Sequence, residues 1–197
     1  IPVLTVITTY PGADPNAVDA TLSQPIATQI EGLVDLSSVM TQSQEGFSVV
    51  VAEFEFGTDM TAREQELIAA IAEKILAPVL THPTSTGPAA LAGELRATML
   101  SRRDGAELVA AALSQPDSAT RAVVEKQLAE TLPGDDDLAR VGSASLLHLV
   151  LGATSLEQAQ KQHAVDTGAK VPTDASSDFA RGVELLISGL DAAAQSG

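Results

Sequence analysis

Residues 1–23 read IPVLTVITTYPGADPNAVDATLS, and how they fold decides what kind of protein this is. Val3 to Thr9 is rich in β-branched residues and alternates, which predicts a strand. Pro11-Gly12 ends it. Asp14 is placed to cap a helix, with Pro15 at the first helical position, where its missing N–H costs nothing. That helix is expected to run to about Ile30 and stop at Gly32, with a kink or break near Gln24 because Pro25 lies inside it. Leu36–Gln42 and Phe47–Phe56 read as two further strands joined by a hairpin turn at Gln44-Glu45-Gly46. The order is β-α-β-β, so the chain does not open on a bundle of short helices.

Beyond Gly57 the pattern changes to helical. Thr61 and Glu64 have capping-box spacing, and Leu67, Ile68, Ile71, Ile75 and Leu76 share one helical face, with Pro78 and Pro83 marking the end. After the loop HPTSTGP (82–88), Leu91, Leu95 and Met99 recur every four residues until Arg102-Arg103-Asp104-Gly105 closes the segment. Helices follow over 107–113, 118–132 and 135–163. A polar loop, 166–177, then leads to a stripe of Phe179, Val183, Leu186, Ile187 and Leu190. The fold class is α+β: a unit over 1–60 containing the strands, then an all-helical domain over 61–197.

Composition narrows the function. The net charge is −15, and all 11 lysines and arginines lie at or beyond Arg63. Duplex DNA is gripped by cations that displace counterions from phosphates, so the first 62 residues are not expected to read it. An anionic bilayer surface would repel them as well. No apolar run is long enough for a membrane helix, and the opening residues lack the basic flank and cleavage site of a signal peptide. There is no cysteine, which removes thiolate and disulfide chemistry. Nucleotide loops of the types GxxxxGK[ST] and GxGxxG are absent, and GSAS (142–145) lacks the nucleophile-elbow pattern. His82, His148 and His163 have no metal-ligand spacing, and His82 is expected to be solvated in its loop. The reading is a non-enzyme with no cofactor and no metal.

Two resemblances refine it. YPGADPNAVD, the helix after it, and EGLVDLSSVMTQSQEGFSVVVAEFEFGTD resemble the porter region of resistance-nodulation-division efflux pumps over residues 1–62. In that family this β-α-β-β unit is half of a ferredoxin-like subdomain. LIAAIAEKILAPVL, ALAGELRATMLSRRDGAELVAA, HLVLGATSLEQAQKQHA and FARGVELLISGLDAAA resemble the C-terminal effector-binding domain of tetracycline-repressor-type regulators over about residues 67–197. That resemblance implies a homodimer that holds a small hydrophobic effector in an apolar cavity among the helices of 91–163. The two families are unrelated, so the chain reads as a hybrid, joined through TAREQELIAAIAEKILAPV (61–79).

The regulator resemblance also marks residues. Val109 stands where the tetracycline-binding members place a metal-holding histidine, so a chelated drug is not expected. Gln127 and Glu157 fall near other pocket positions, and His148 matches a histidine that is either a ligand contact or a satisfied core group. The last two helices carry apolar stripes wider than one neighbour needs, with small residues that permit close approach. Gly152, Gly182, Val183, Leu186, Gly189 and Leu190 are the expected dimer contacts. Arg102 and Arg103 suit a helix C-terminus. The leading expectation is a ligand-sensing, dimeric regulator core without its own helix-turn-helix head, which would place it in the cytoplasm. The alternatives are an extracytoplasmic porter module, or a scaffold with no activity.

Overall fold

The computed structural model describes residues 1–81, 86–170 and 173–196. The predicted solvated position of His82 lies outside them. The chain is mostly helical with one small antiparallel sheet, and it divides into two compact units, Ile1–Ile71 and Ala72–Gly197.

In the first unit β1 (Val3–Thr9), β2 (Leu36–Gln44) and β3 (Phe47–Phe54) form a sheet of order β1-β3-β2. Val6 pairs with Val50 and Thr41 pairs with Val50 from the other side. β3 is therefore central, and its alternation sends Ser48, Val50, Ala52 and Phe54 into the core. The opposite face is open to solvent at Val3, Ile7 and Met40. The hairpin is tighter than predicted: Gln44 pairs with Phe47, leaving Glu45-Gly46 as the turn, and Gly46 supplies φ 79°.

The helical crossover from β1 to β2 does not break at Pro25. It runs as α1 (Pro15–Val18), a π-helical stretch (Asp19–Ser23) and α2 (Gln24–Ile30). Asp14 caps it as predicted, accepting from the Asn16 and Ala17 amides at 2.9 and 3.1 Å. A proline in an α-helix lacks one N–H and its ring presses on the carbonyl four residues earlier. Here the Gln24 N–H donates to the Asp19 carbonyl, widening the turn so that the chain passes Pro25 without stopping. The wide turn also seats Ser23 fully inside, where its hydroxyl meets those of Ser48 at 2.6 Å and Ser43 at 2.8 Å. Ser43 in turn donates to Asp19, so the buried hydroxyls are satisfied. Val18, Ala27 and Ile30 turn their side chains inward.

α3 (Met60–Thr81) is longer than predicted, because Pro78 lies within it and does not end it. Its early residues Met60, Leu67 and Ile71 close the sheet's core. Ala72, Leu76 and Val79 are buried as part of the second unit. That unit continues with α4 (Pro88–Leu100), α5 (Gly105–Leu113), α6 (Ala119–Ala129), α7 (Asp136–Thr167) and α8 (Ala175–Ala194). α4, α5, α6 and α8 all pack on α7. Its core is almost wholly aliphatic, as the absence of aromatics between Gly57 and Asp178 requires. None of the helices is long and apolar enough to cross a membrane, among the described residues.

Candidate functional site

The residues predicted to line one effector pocket do not converge. Val109 is buried among Leu76, Leu95, Met99, Leu113, Val124, Leu147, Val150 and Leu151. These aliphatic side chains leave no space the size of a water molecule between them, so the cavity expected among the helices of 91–163 is closed here. Gln127 serves another purpose: its amide Nε2 donates to the Leu80 carbonyl at 2.9 Å and so ties α6 to the last turn of α3. His148 is exposed on α7, neither a core group nor a wall of the cavity.

Glu157 holds the most informative polar arrangement in the unit. It is only 7% exposed, yet it carries two cations. Arg96 on α4 donates both Nε and Nη2 to Glu157 Oε2, at 3.0 and 2.6 Å. Lys161, one turn along α7, reaches Glu157 Oε1 at 2.7 Å. Burial alone would raise the Glu157 carboxyl pKa. Hydrogen bonds from Lys161 and Arg96, with their charges, outweigh burial and hold it below its ordinary value of 4.5. The Arg96 guanidinium also lies over the Phe179 ring of α8, 5.2 Å from its centroid. Three helices are thus cross-linked through one guanidinium. Next to Glu157, Gln158 accepts from the Ala106 amide at 2.9 Å and donates to the Arg102 carbonyl at 2.8 Å, clamping the α4–α5 turn.

Sequence reasoning named Glu157 but missed Arg96 and Phe179. The signals were present: Arg96 is the one cation in a helix of apolar and small residues, and Phe179 is the one aromatic in the helical unit.

Beside this cluster α4 and α8 leave a cleft of about 220 Å³. Ala89, Gly93 and Arg96 form one wall; Ser176, Phe179, Ala180, Val183 and Glu184 form the other.

The predicted dimer residues divide by exposure. Val183 and Leu190 are buried within the chain, Val183 along the cleft and Leu190 against Gly142. Leu186 is half-buried, and Gly182 faces the Leu149 side chain. Gly152 and Gly189 are exposed with open space around them. Leu156 and Leu185 are 61% and 68% exposed on the same two helices. Residues 141–156 of α7 contain no aspartate, glutamate, lysine or arginine, so even its outward positions carry no charge.

Comparison with known proteins finds two kinds of likeness. Residues 1–84 match the AcrB/AcrD/AcrF family. BioQ of Mycobacterium smegmatis superposes with a TM-score of 0.55 at 29% identity, over 66% of this chain and 75% of BioQ. A structure of BioQ with its double-stranded DNA operator gives 0.53 at 28% identity, over 66% and 73% of the two chains. A possible TetR family transcriptional regulator from Streptomyces coelicolor A3(2) gives 0.51 at 25%, over 67% and 80%. The chain is therefore similar in structure to TetR-family transcriptional regulators, and these neighbours are regulators, not enzymes.

Proposed function

We propose that the helical unit is the dimerising, effector-responsive core of a TetR-type regulator, working in the cytoplasm, and that residues 1–62 do not serve as a DNA-reading head. The observation that carries this reading is the uncharged outer surface of α7 over residues 141–156, with exposed Leu185 and Gly189 on α8. A helix that faces water normally carries charge on that side. Here Val141, Gly152 and Leu156 on α7, with Leu185 and Gly189 on α8, are exposed and offer apolar and small side chains. In a chain with 26 carboxylates such a face is accounted for by a second copy. Two helices from each protomer would form a four-helix interface about a two-fold axis.

The account of the head rests on residues 1–62, which fold as three strands and a π-containing helix and hold eight carboxylates and no basic side chain, so this segment is not expected to grip a duplex. A second reading has one specific observation behind it. The AcrB/AcrD/AcrF match, with the β1-β3-β2 order, favours half of a ferredoxin-like porter subdomain for residues 1–60. In that case the unit would assemble with other porter chains outside the cytoplasm.

Sedimentation at several concentrations tests the choice. A dimer that persists on dilution is expected, and Leu156→Glu with Leu185→Glu should convert it to monomer, because two buried like charges would face each other across the axis. A wild-type monomer at every concentration contradicts the dimer reading, and trimers favour the porter reading. Mobility shifts at low salt should show no retained DNA; sequence-specific retention would overturn the account of the head.

A further inference from the structure

The cleft between α4 and α8 has features that the closed aliphatic core lacks. One is an incompletely used guanidinium. Arg96 spends its Nε and Nη2 edge on a single oxygen of Glu157. Its Nη1 has no hydrogen-bond partner among the described residues, so the end-on fork formed by Nη1 and Nη2 is available. Arginine presents two such edges, and each fits a planar carboxylate. Arg96, whose side chain is 15% exposed, shares its one carboxylate with the half-exposed Lys161, so Glu157 is not reserved for Arg96 alone. The first turns of α4 and α8, at Ala89 and Ser176, border the same cleft and add the positive ends of two helices. The remaining wall is apolar and includes Phe179, Ala180 and Val183. Sites for drug-sized ligands span about 300–1,000 Å³, so a cleft of about 220 Å³ suits a smaller molecule.

We propose that this cleft binds a small carboxylic acid with a compact apolar body, its carboxylate on the free edge of Arg96 and its body against Phe179 and Val183. That such a molecule acts as the effector rests on the regulator reading; that it binds rests on the cleft alone. Glu184, exposed on the rim with no ion-pair partner among the described residues, opposes the anion and limits its affinity. The overall charge of −15 opposes it too, but charges farther away than about 8–10 Å are screened at physiological salt, and Arg96 would be in direct contact.

Titration calorimetry or ligand-observed resonance with benzoate, and benzamide as its uncharged counterpart, tests the proposal. Benzoate should bind saturably and at least tenfold more tightly than benzamide, and added salt should weaken it. Glu184→Gln should tighten benzoate binding several-fold. Gly93→Leu should abolish it: a side chain at Gly93 meets nothing within 4 Å, so the variant is expected to fold while filling the cleft. Circular dichroism and sedimentation of that variant confirm that the fold is kept. Equal binding of benzamide, no saturable binding of benzoate, or benzoate binding unchanged by Gly93→Leu would each overturn the site. Sedimentation of the unliganded protein keeps the two ideas separate. Benzoate binding by a monomer supports the cleft and defeats the regulator reading, whereas a dimer that ignores benzoate does the reverse.

Discussion

Glu157→Ala is expected to destabilise the helical unit by about 3 kcal/mol at neutral pH, among the larger losses a single substitution can cause. The reason lies with the group left behind. Arg96, whose side chain is 15% exposed, would keep its charge and lose the acceptor of both its charged hydrogen bonds. For a unit of this size that corresponds to a drop of roughly 6–12 °C in melting temperature. Lys161→Met should cost less than about 1 kcal/mol, since Lys161 is half-exposed and the Arg96–Glu157 pair survives its loss. The effect depends on pH with a definite sign. The folded-state pKa of Glu157 is lowered, so its contribution is present above the ordinary value of 4.5 and is lost as pH falls through the lower folded value. Chemical denaturation of wild type and Glu157→Gln should therefore give midpoints that differ at neutral pH and draw together below pH 4.5. A gap that stays constant into the acid transition would show that charge is not what Glu157 contributes.

Gly105→Ala is expected to cost about 2 kcal/mol or more, although alanine is the better helix former. Gly105 begins α5 immediately after Asp104, which has φ 59°. A Cβ there would overlap the backbone carbonyl of Met99 and press on the Arg102 side chain at 3.1 Å. Backbone cannot swing aside as a side-chain tip can, so the α4–α5 turn must open and the Gln158 clamp across it must loosen. Gly93→Ala is the matched control. It lies mid-helix with open space around it, and should stabilise by about 0.5–1 kcal/mol. Urea midpoints for the two variants should move in opposite directions. A Gly105→Ala midpoint at or above wild type would mean that the turn is not held as tightly as its hydrogen bonds indicate.

Where the fold was legible in the sequence, one physical signal dominated its surroundings. The alternation of Val3–Thr9 and Phe47–Phe54 reflects a sheet with one buried face, and the Asp14-Pro15 pair specifies a helix start whatever packs on it. The prolines were harder to read, because a proline's local cost can be absorbed: at Pro25, where a kink or break was expected, by the π-helical stretch just before Gln24, and at Pro78, expected to mark a helix end, within a helix carrying buried Ala72, Leu76 and Val79. The candidate site was only partly legible. Glu157 and Lys161 are one helical turn apart, a pairing visible in sequence. Arg96 lies 61 positions from Glu157, and only the packing of α4 on α7 brings them together. The width of the stripe on α8 could be read, but not its division. Val183 and Leu190 look inward while Leu185 and Gly189 look out, because α4 and α7 claim one side of the helix.

The π-helical stretch makes one position of the first unit dispensable for the helix's facing. A wide turn spreads its rotation over an extra residue, so five residues in π geometry carry the chain about as far round as four in ordinary α winding. A single deletion within residues 19–23 would restore α winding and leave Ile30, fully enclosed, still turned toward the sheet it covers. Pro25 would then press on the carbonyl it now avoids, so in related chains a one-residue gap in this segment should go with loss of that proline.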